Sequence, residues 1–149
     1  MKTKFVEVQK FNQWWLWLIL MVLVAIPAYV FVFQGFSEGI KASPIALVFL
    51  LFFILKLSTM IDEKGIKMSY FPFVNKSFDW LEIKTVRVIN YGFVGGWGIR
   101  FWTKHGTVYN VRGNKGLLVE LKNGKSFVIG TQKQEELKSV LHELGKLSE

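Results

Sequence analysis

Residues 14–33 read WWLWLILMVLVAIPAYVFVF, twenty residues without a charge. At 1.5 Å rise per residue such a run covers about 30 Å, the thickness of a bilayer's hydrocarbon core, so it predicts a spanning helix. A cleaved leader has an apolar region of about 7 to 15 residues ending in small side chains. This run instead ends in Tyr29, Phe31 and Phe33. Pro27 lies inside it, where neighbouring groups of a bundle can satisfy the carbonyl that a proline frees.

A second apolar stretch follows. Ile45 to Leu55 offers eleven uncharged residues, which by length alone suggests a re-entrant or interfacial piece. If Lys41 and Lys56 extend their stems toward opposite interfaces, residues 42–57 make a short span of about 24 Å, with Pro44 in the first turn where its missing N–H costs nothing. The tail before Trp14 holds Lys2, Lys4 and Lys10, while the connection from Gln34 to Ser43 holds Lys41 as its one basic residue. Positive flanks stay inside, so the tail is expected to be cytoplasmic, and two spans return the chain to the cytoplasm. Trp14, Trp15 and Trp17 cluster where the first helix enters the bilayer, as an aromatic belt would, with Lys41 and Lys56 as further interface anchors.

Composition supports an anchor followed by a domain. The apolar residues concentrate before residue 58, and 149 residues leave room for one domain after the anchor. The expected division is 1–57 for the membrane anchor and 58–149 for the soluble domain. From Ser58 onward 14 Lys and Arg stand against 9 Asp and Glu, so that part is basic. On a tethered domain a positive surface points first to anionic lipid head groups. The chain has no cysteine, which excludes disulfides, thiolate metal sites and cysteine nucleophiles.

From Leu57 the pattern changes to short alternating runs broken by turn residues, the signature of an antiparallel barrel or sandwich. Seven strands are expected, near 57–62, 66–71, 82–90, 98–103, 107–111, 117–122 and 125–130. The turns between them include Glu63-Lys64-Gly65, His105-Gly106, Gly113-Asn114-Lys115-Gly116 and Asn123-Gly124, the last a type I′ signal. Thr131 with Gln134 reads as a capping box, and Leu137, Val140, Leu141 and Leu144 follow at helical spacing. One amphipathic helix therefore closes the chain over the end of a small barrel.

Several pieces resemble the bacterial pleckstrin-homology-like domains attached to two N-terminal membrane helices. They are residues 61–66 (IDEKGI), 80–83 (WLEI) with Val86, Tyr91-Gly92 with 95–100 (GGWGIR), and 128–132 (VIGTQ). The resemblance covers roughly 57–144. It implies an α+β fold in which a transmembrane helical hairpin precedes a seven-stranded antiparallel β barrel capped by a C-terminal α-helix. It also implies a bacterial inner-membrane setting, and a habit of binding or assembling rather than catalysis.

In eukaryotic relatives that bind phosphoinositides, basic residues occupy the first strand–strand loop. Lys64 and Lys67 stand there in this chain, but with Asp62 and Glu63 in a turn too short to wrap a head group. The glycine-rich stretch from Tyr91 to Arg100 could present consecutive amides to a phosphate. It lacks a P-loop ending and a dinucleotide spacing, so a bulge at a strand crossing is the simpler reading, with Arg100 as a structural or interface residue. Phe93 and Trp97 on that loop are either core plugs or exposed anchors. His105 and His142 have no second histidine at ligand spacing.

The expected function is a membrane-tethered binding or assembly module at the cytoplasmic face. Neither catalysis, a cofactor, a metal, nucleic acid nor a small-molecule substrate is implied. The alternative is an anionic-lipid sensor using the basic surface. Expected partners are membrane lipids, another membrane protein or further copies of the chain, contacted through Phe93, Trp97, Arg100, Lys64 and Lys67.

Overall fold

The structure, a computed structural model, describes residues 4–42 and 44–148. Lys2 of the predicted cytoplasmic flank and Ser43 at the end of the predicted connection lie outside the described residues. The chain begins with strand β1 (Phe5–Lys10), followed by three helices, α1 (Trp14–Gln34), α2 (Phe36–Ala42) and α3 (Pro44–Ile54). It divides into two compact units: the helical segment from Lys10 to Leu55, and a β unit made of the chain on either side of it.

Within the helical unit α1 runs unbroken through Pro27. It is long and apolar enough to cross a membrane, and only 11% of its most apolar 18-residue window is buried. A core helix of a water-soluble protein would hide such a surface. The expected second span over residues 42–57 does not form. The return arm is broken into α2 and α3, and the 11 residues of α3 rise about 16 Å, half a hydrocarbon core. Pro44 is the first residue of α3, and its lack of an N–H makes it a start of a new helix rather than a continuation of the preceding one. The arms fold back on each other. Phe31 meets Phe36 at one end, with ring centroids 5.8 Å apart, and Trp17 meets Phe53 edge-on at 6.0 Å at the other.

The β unit holds β1 and eight further strands: β2 (Lys56–Ile61), β3 (Gly65–Phe71), β4 (Val74–Asp79), β5 (Ile83–Asn90), β6 (Gly98–Thr103), β7 (Gly106–Asn110), β8 (Lys115–Leu121) and β9 (Ser126–Gly130). Helix α4 (Gln134–Glu143) follows, burying Leu137, Val140 and Leu141 as the apolar spacing requires. The seven-stranded barrel does not form. The described strands make two sheets, a four-stranded one in the order β1-β2-β3-β4 and a five-stranded one in the order β5-β8-β9-β7-β6. Nor is the pairing wholly antiparallel, since β7 lies parallel to β9 from Thr107↔Phe127 to Tyr109↔Ile129.

Two of the nine described strands, β1 and β4, lie outside the expected seven. In β1 the inward positions are Phe5, Glu7 and Gln9, while Val6 and Val8 face out, which inverts the usual alternation. Inside the fold Glu7 accepts hydrogen bonds from the Thr131 hydroxyl at 2.6 Å and the Gln132 amide at 2.7 Å, and the Gln9 amide nitrogen donates to the Gly130 carbonyl at 2.7 Å. The Lys4 amide donates to the Ile61 carbonyl, seating the strand beside β2. The second extra strand, β4, is a mostly exposed edge strand with little apolar pattern to read.

Thr131 does not form the expected capping box. Lys133 takes the N-cap position without a side-chain cap, and the Thr131 hydroxyl is engaged with Glu7 and the Lys133 amide. The Asn123-Gly124 hairpin is present, but Trp102 is the one non-glycine residue with positive φ among those described, so Asn123 cannot build a type I′ turn. Contacts between the sheets are aromatic and polar. Phe78 of β4 stacks on Phe127 of β9 at 4.6 Å, and the Tyr70 hydroxyl donates to the Asn110 carbonyl at 3.3 Å.

Candidate functional site

Between β5 and β6 the chain from Tyr91 to Trp97 forms a loop in which Gly92, Gly95 and Gly96, together with Gly98 at the start of β6, all have positive φ. L-residues with a Cβ disfavour that region, which is why the segment is glycine-rich. Tyr91 anchors its base: the ring is buried, the hydroxyl donates to the Gly113 carbonyl at 3.1 Å, and burial raises its pKa. The Arg100 guanidinium closes the loop by donating to the Trp97 carbonyl at 3.0 Å. Arg100 is thus occupied with loop geometry.

Phe93 stands out from this loop 91% exposed. Beside it lies a cavity of about 540 Å³ lined by Phe93, Val94, Trp97, Asn110 and loop backbone, with no charged residue in its wall. Asn110, at 1% exposure, carries a buried acceptor. Its Nδ2 donates to the Tyr91 hydroxyl at 3.2 Å and to the Gly96 carbonyl at 3.4 Å, while its Oδ1 is buried without a protein partner.

At the far end of β6 the pairing with β7 slips between Arg100 and Thr103. There Trp102 adopts φ +55° and stands 96% exposed. A bulky residue in the left-handed region costs on the order of 1–3 kcal/mol, and such strain gathers where a side chain is aimed for use. Phe101, 59% exposed, sits 6.0 Å from the indole, so two consecutive aromatics face solvent. Trp102 and Asn110 were not among the residues singled out from sequence. The Phe101-Trp102 pair carried a signal, because adjacent bulky residues on one strand point to opposite faces and one of them must leave the core.

The remaining predicted contacts do not join this surface. Lys64 and Lys67 are exposed at the β2–β3 turn, and Lys67 pairs with Asp62 at 3.3 Å. Burial alone would raise the Asp62 pKa, but the Lys64 and Gly65 amides donating to its Oδ1, with Lys67, hold it below its ordinary value. The turn therefore spends the Lys67 ammonium and the Lys64 and Gly65 amides on its own carboxylate. Trp14 and Trp15 are exposed at the start of α1, and the Trp17 indole donates to the Phe11 carbonyl at 3.0 Å. Lys41 pairs with Glu38 in α2. Lys56 is the first residue of β2, with its ammonium 5.3 Å from the Phe71 ring, rather than the last turn of a second span.

A second concavity, about 600 Å³, lies between edge strand β4 and the β6–β7 and β9 strands, floored by Phe78, Tyr109 and Phe127, with the Lys76 ammonium donating to the Tyr109 hydroxyl at 3.0 Å. Among the described residues no three His, Cys, Asp or Glu side chains gather as metal ligands would. The fold and surface define a membrane-capable helical segment carried by a two-sheet β unit with a solvent-facing aromatic edge. No family model, curated protein or solved structure matches the chain.

Proposed function

We propose that this protein is a membrane-anchored interaction module, acting without catalysis at the cytoplasmic face of a bacterial inner membrane, whose β unit grips a protein partner through the aromatic side chains of residues 93–102. The observation that carries the reading is the exposure of Phe93, Phe101 and Trp102 on a unit joined to a helix long and apolar enough to cross a membrane. Large aromatics left in water on a folded surface mark sites of association. A removable leader fits the helix poorly, because β1 precedes it and pairs into the sheet, so cleavage would delete a strand. The adjacency of β1 and β2 supports placing both ends of the helical segment on one side of the membrane, and the lysine-rich tail supports the cytoplasmic side.

A photo-crosslinking amino acid placed in the full-length chain at Phe93 or Trp102 in living cells tests this directly. Discrete protein adducts are expected from both positions and not from exposed Asn123. Adducts with lipid alone, or none, would refute a protein-binding edge.

A further inference from the structure

At the β3–β4 hairpin the chain leaves Phe71 46% and Phe73 60% exposed, with exposed Pro72 between them. Along β3 the outward positions before the tip are Lys67 and Ser69, so the alternation calls for a polar residue at the next one, where Phe71 stands. Beyond the tip Asn75, Lys76 and Ser77 restore the polar surface. The apolar exposure of this hairpin is therefore confined to its tip. Phe71 is the cross-strand partner of Lys56, the first residue of β2, and Lys56 directly follows Leu55, where the helical segment ends. A residue step spans about 3.8 Å and cross-strand partners stand about 4.5–5.5 Å apart, so Phe71 lies within about 10 Å of Leu55.

Two aromatic contacts within the helical segment set the level at which the chain leaves it. Phe11, just ahead of α1, meets Phe52 with ring centroids 5.1 Å apart, and Trp17 in the first turn of α1 meets Phe53 at 6.0 Å. The end of α3 thus stands beside the start of α1, where Trp14 and Trp15 are exposed. Tryptophans at the end of a membrane helix mark the head-group level. We propose that Phe71-Pro72-Phe73 is a second membrane anchor, dipping into the lipid head-group and upper acyl region at the interface where the helical segment ends. Exposed Lys10 and Lys56 flank the segment and suit anionic phospholipid heads, and the Lys56 ammonium stands 5.3 Å from the Phe71 ring. The proposal rests on the reading of α1 as a membrane span. It adds a lipid contact to the module, because a second point of attachment fixes how the β unit is presented at the membrane.

The test uses the full-length protein in nanodiscs of phosphatidylcholine and phosphatidylglycerol. Single cysteines, unambiguous in a chain without native ones, carry a nitroxide whose collisions with oxygen and with a water-soluble nickel complex are compared by electron paramagnetic resonance. Oxygen concentrates in lipid and the nickel complex in water. Leu18→Cys, Phe73→Cys and Ser77→Cys all place the label at exposed positions, and circular dichroism checks that each variant keeps the wild-type fold. The labels at 18 and 73 should favour oxygen, and the label at 77, in the middle of β4, should favour nickel several-fold. Adding Phe71→Ser to Phe73→Cys removes the remaining phenylalanine of the tip and should shift that label several-fold toward nickel. A label at 73 as open to nickel as the one at 77, a label at 77 as lipid-bound as the one at 73, or a label at 73 indifferent to Phe71→Ser would each overturn the proposal. With the label at 18 in lipid, a label at 73 in water removes the tip anchor alone. A label at 18 open to nickel removes the membrane span on which the tip anchor rests.

Discussion

At the scale of single residues, Asp62 shows how a short turn is held. Its carboxylate accepts from the Lys64 and Gly65 amides at 2.8 and 3.0 Å and pairs with Lys67, while the Trp80 indole donates to its carbonyl at 3.0 Å. Gly65 is required beside it because a Cβ there would collide with the Phe78 carbonyl. Since the folded pKa of Asp62 is lowered, its stabilisation is present above the unfolded value of about 3.9 and fades as pH falls through the folded one. Asp62→Asn keeps an acceptor oxygen but not the charge. The variant should therefore melt below wild type at pH 7 and converge on it below about pH 4. A gap between the two melting temperatures that stays constant from pH 7 to pH 3 would show that the charge contributes nothing.

At the scale of elements, β1 docks through polar groups where most strands use apolar ones. Glu7, at 5% exposure, is the acceptor for the Thr131 hydroxyl and the Gln132 amide, and so ties the start of the chain to the segment entering α4. Glu7→Ala strands both donors inside the fold and should cost about 1–3 kcal/mol, read by urea denaturation of the full chain in detergent. Glu7→Gln retains one acceptor oxygen and should recover part of the loss. Unchanged stability in Glu7→Ala would mean that β1 is not held by this carboxylate. Helix α4 follows the opposite rule, docking through an apolar stripe of Leu137, Val140 and Leu141.

At the scale of the whole molecule, the helical segment is an insertion between two neighbouring strands, leaving the four-stranded sheet after β1 and re-entering it at β2 with Leu55 alone between α3 and the strand. Neighbouring strands cannot pair across a bilayer, so the proposed anchoring requires both ends of the segment to lie on one side. The chain has no native cysteine, which makes single introduced cysteines unambiguous. With substitutions at Asn12, Glu38 and Leu147, an impermeant thiol reagent on intact cells should label position 38 alone. Labelling of 12 without 147, or of 147 without 12, would contradict the shared side.

Local signals were sufficient wherever neighbours in the chain decide the structure. The twenty uncharged residues of α1, the alternation in seven of the strands and the 3.6-residue spacing of α4 are all written in consecutive residues, because a helix or a half-buried strand answers mainly to its own hydrophobic period. Phe93 and Trp97 could be found as loop aromatics, but whether they face solvent could not, since both readings satisfy the same local pattern. Tertiary structure alone decided β1, whose inward Glu7 and Gln9 make sense only beside Gly130, Thr131 and Gln132, more than 120 positions away. It likewise decided the division into two sheets with a parallel β7–β9 pair, the outward turn of Trp102, and the meeting of Asn110 with the glycine loop. Hydrogen-bond partners distant along the chain and backbone angles set by a slipped register leave no trace in local hydrophobic periodicity.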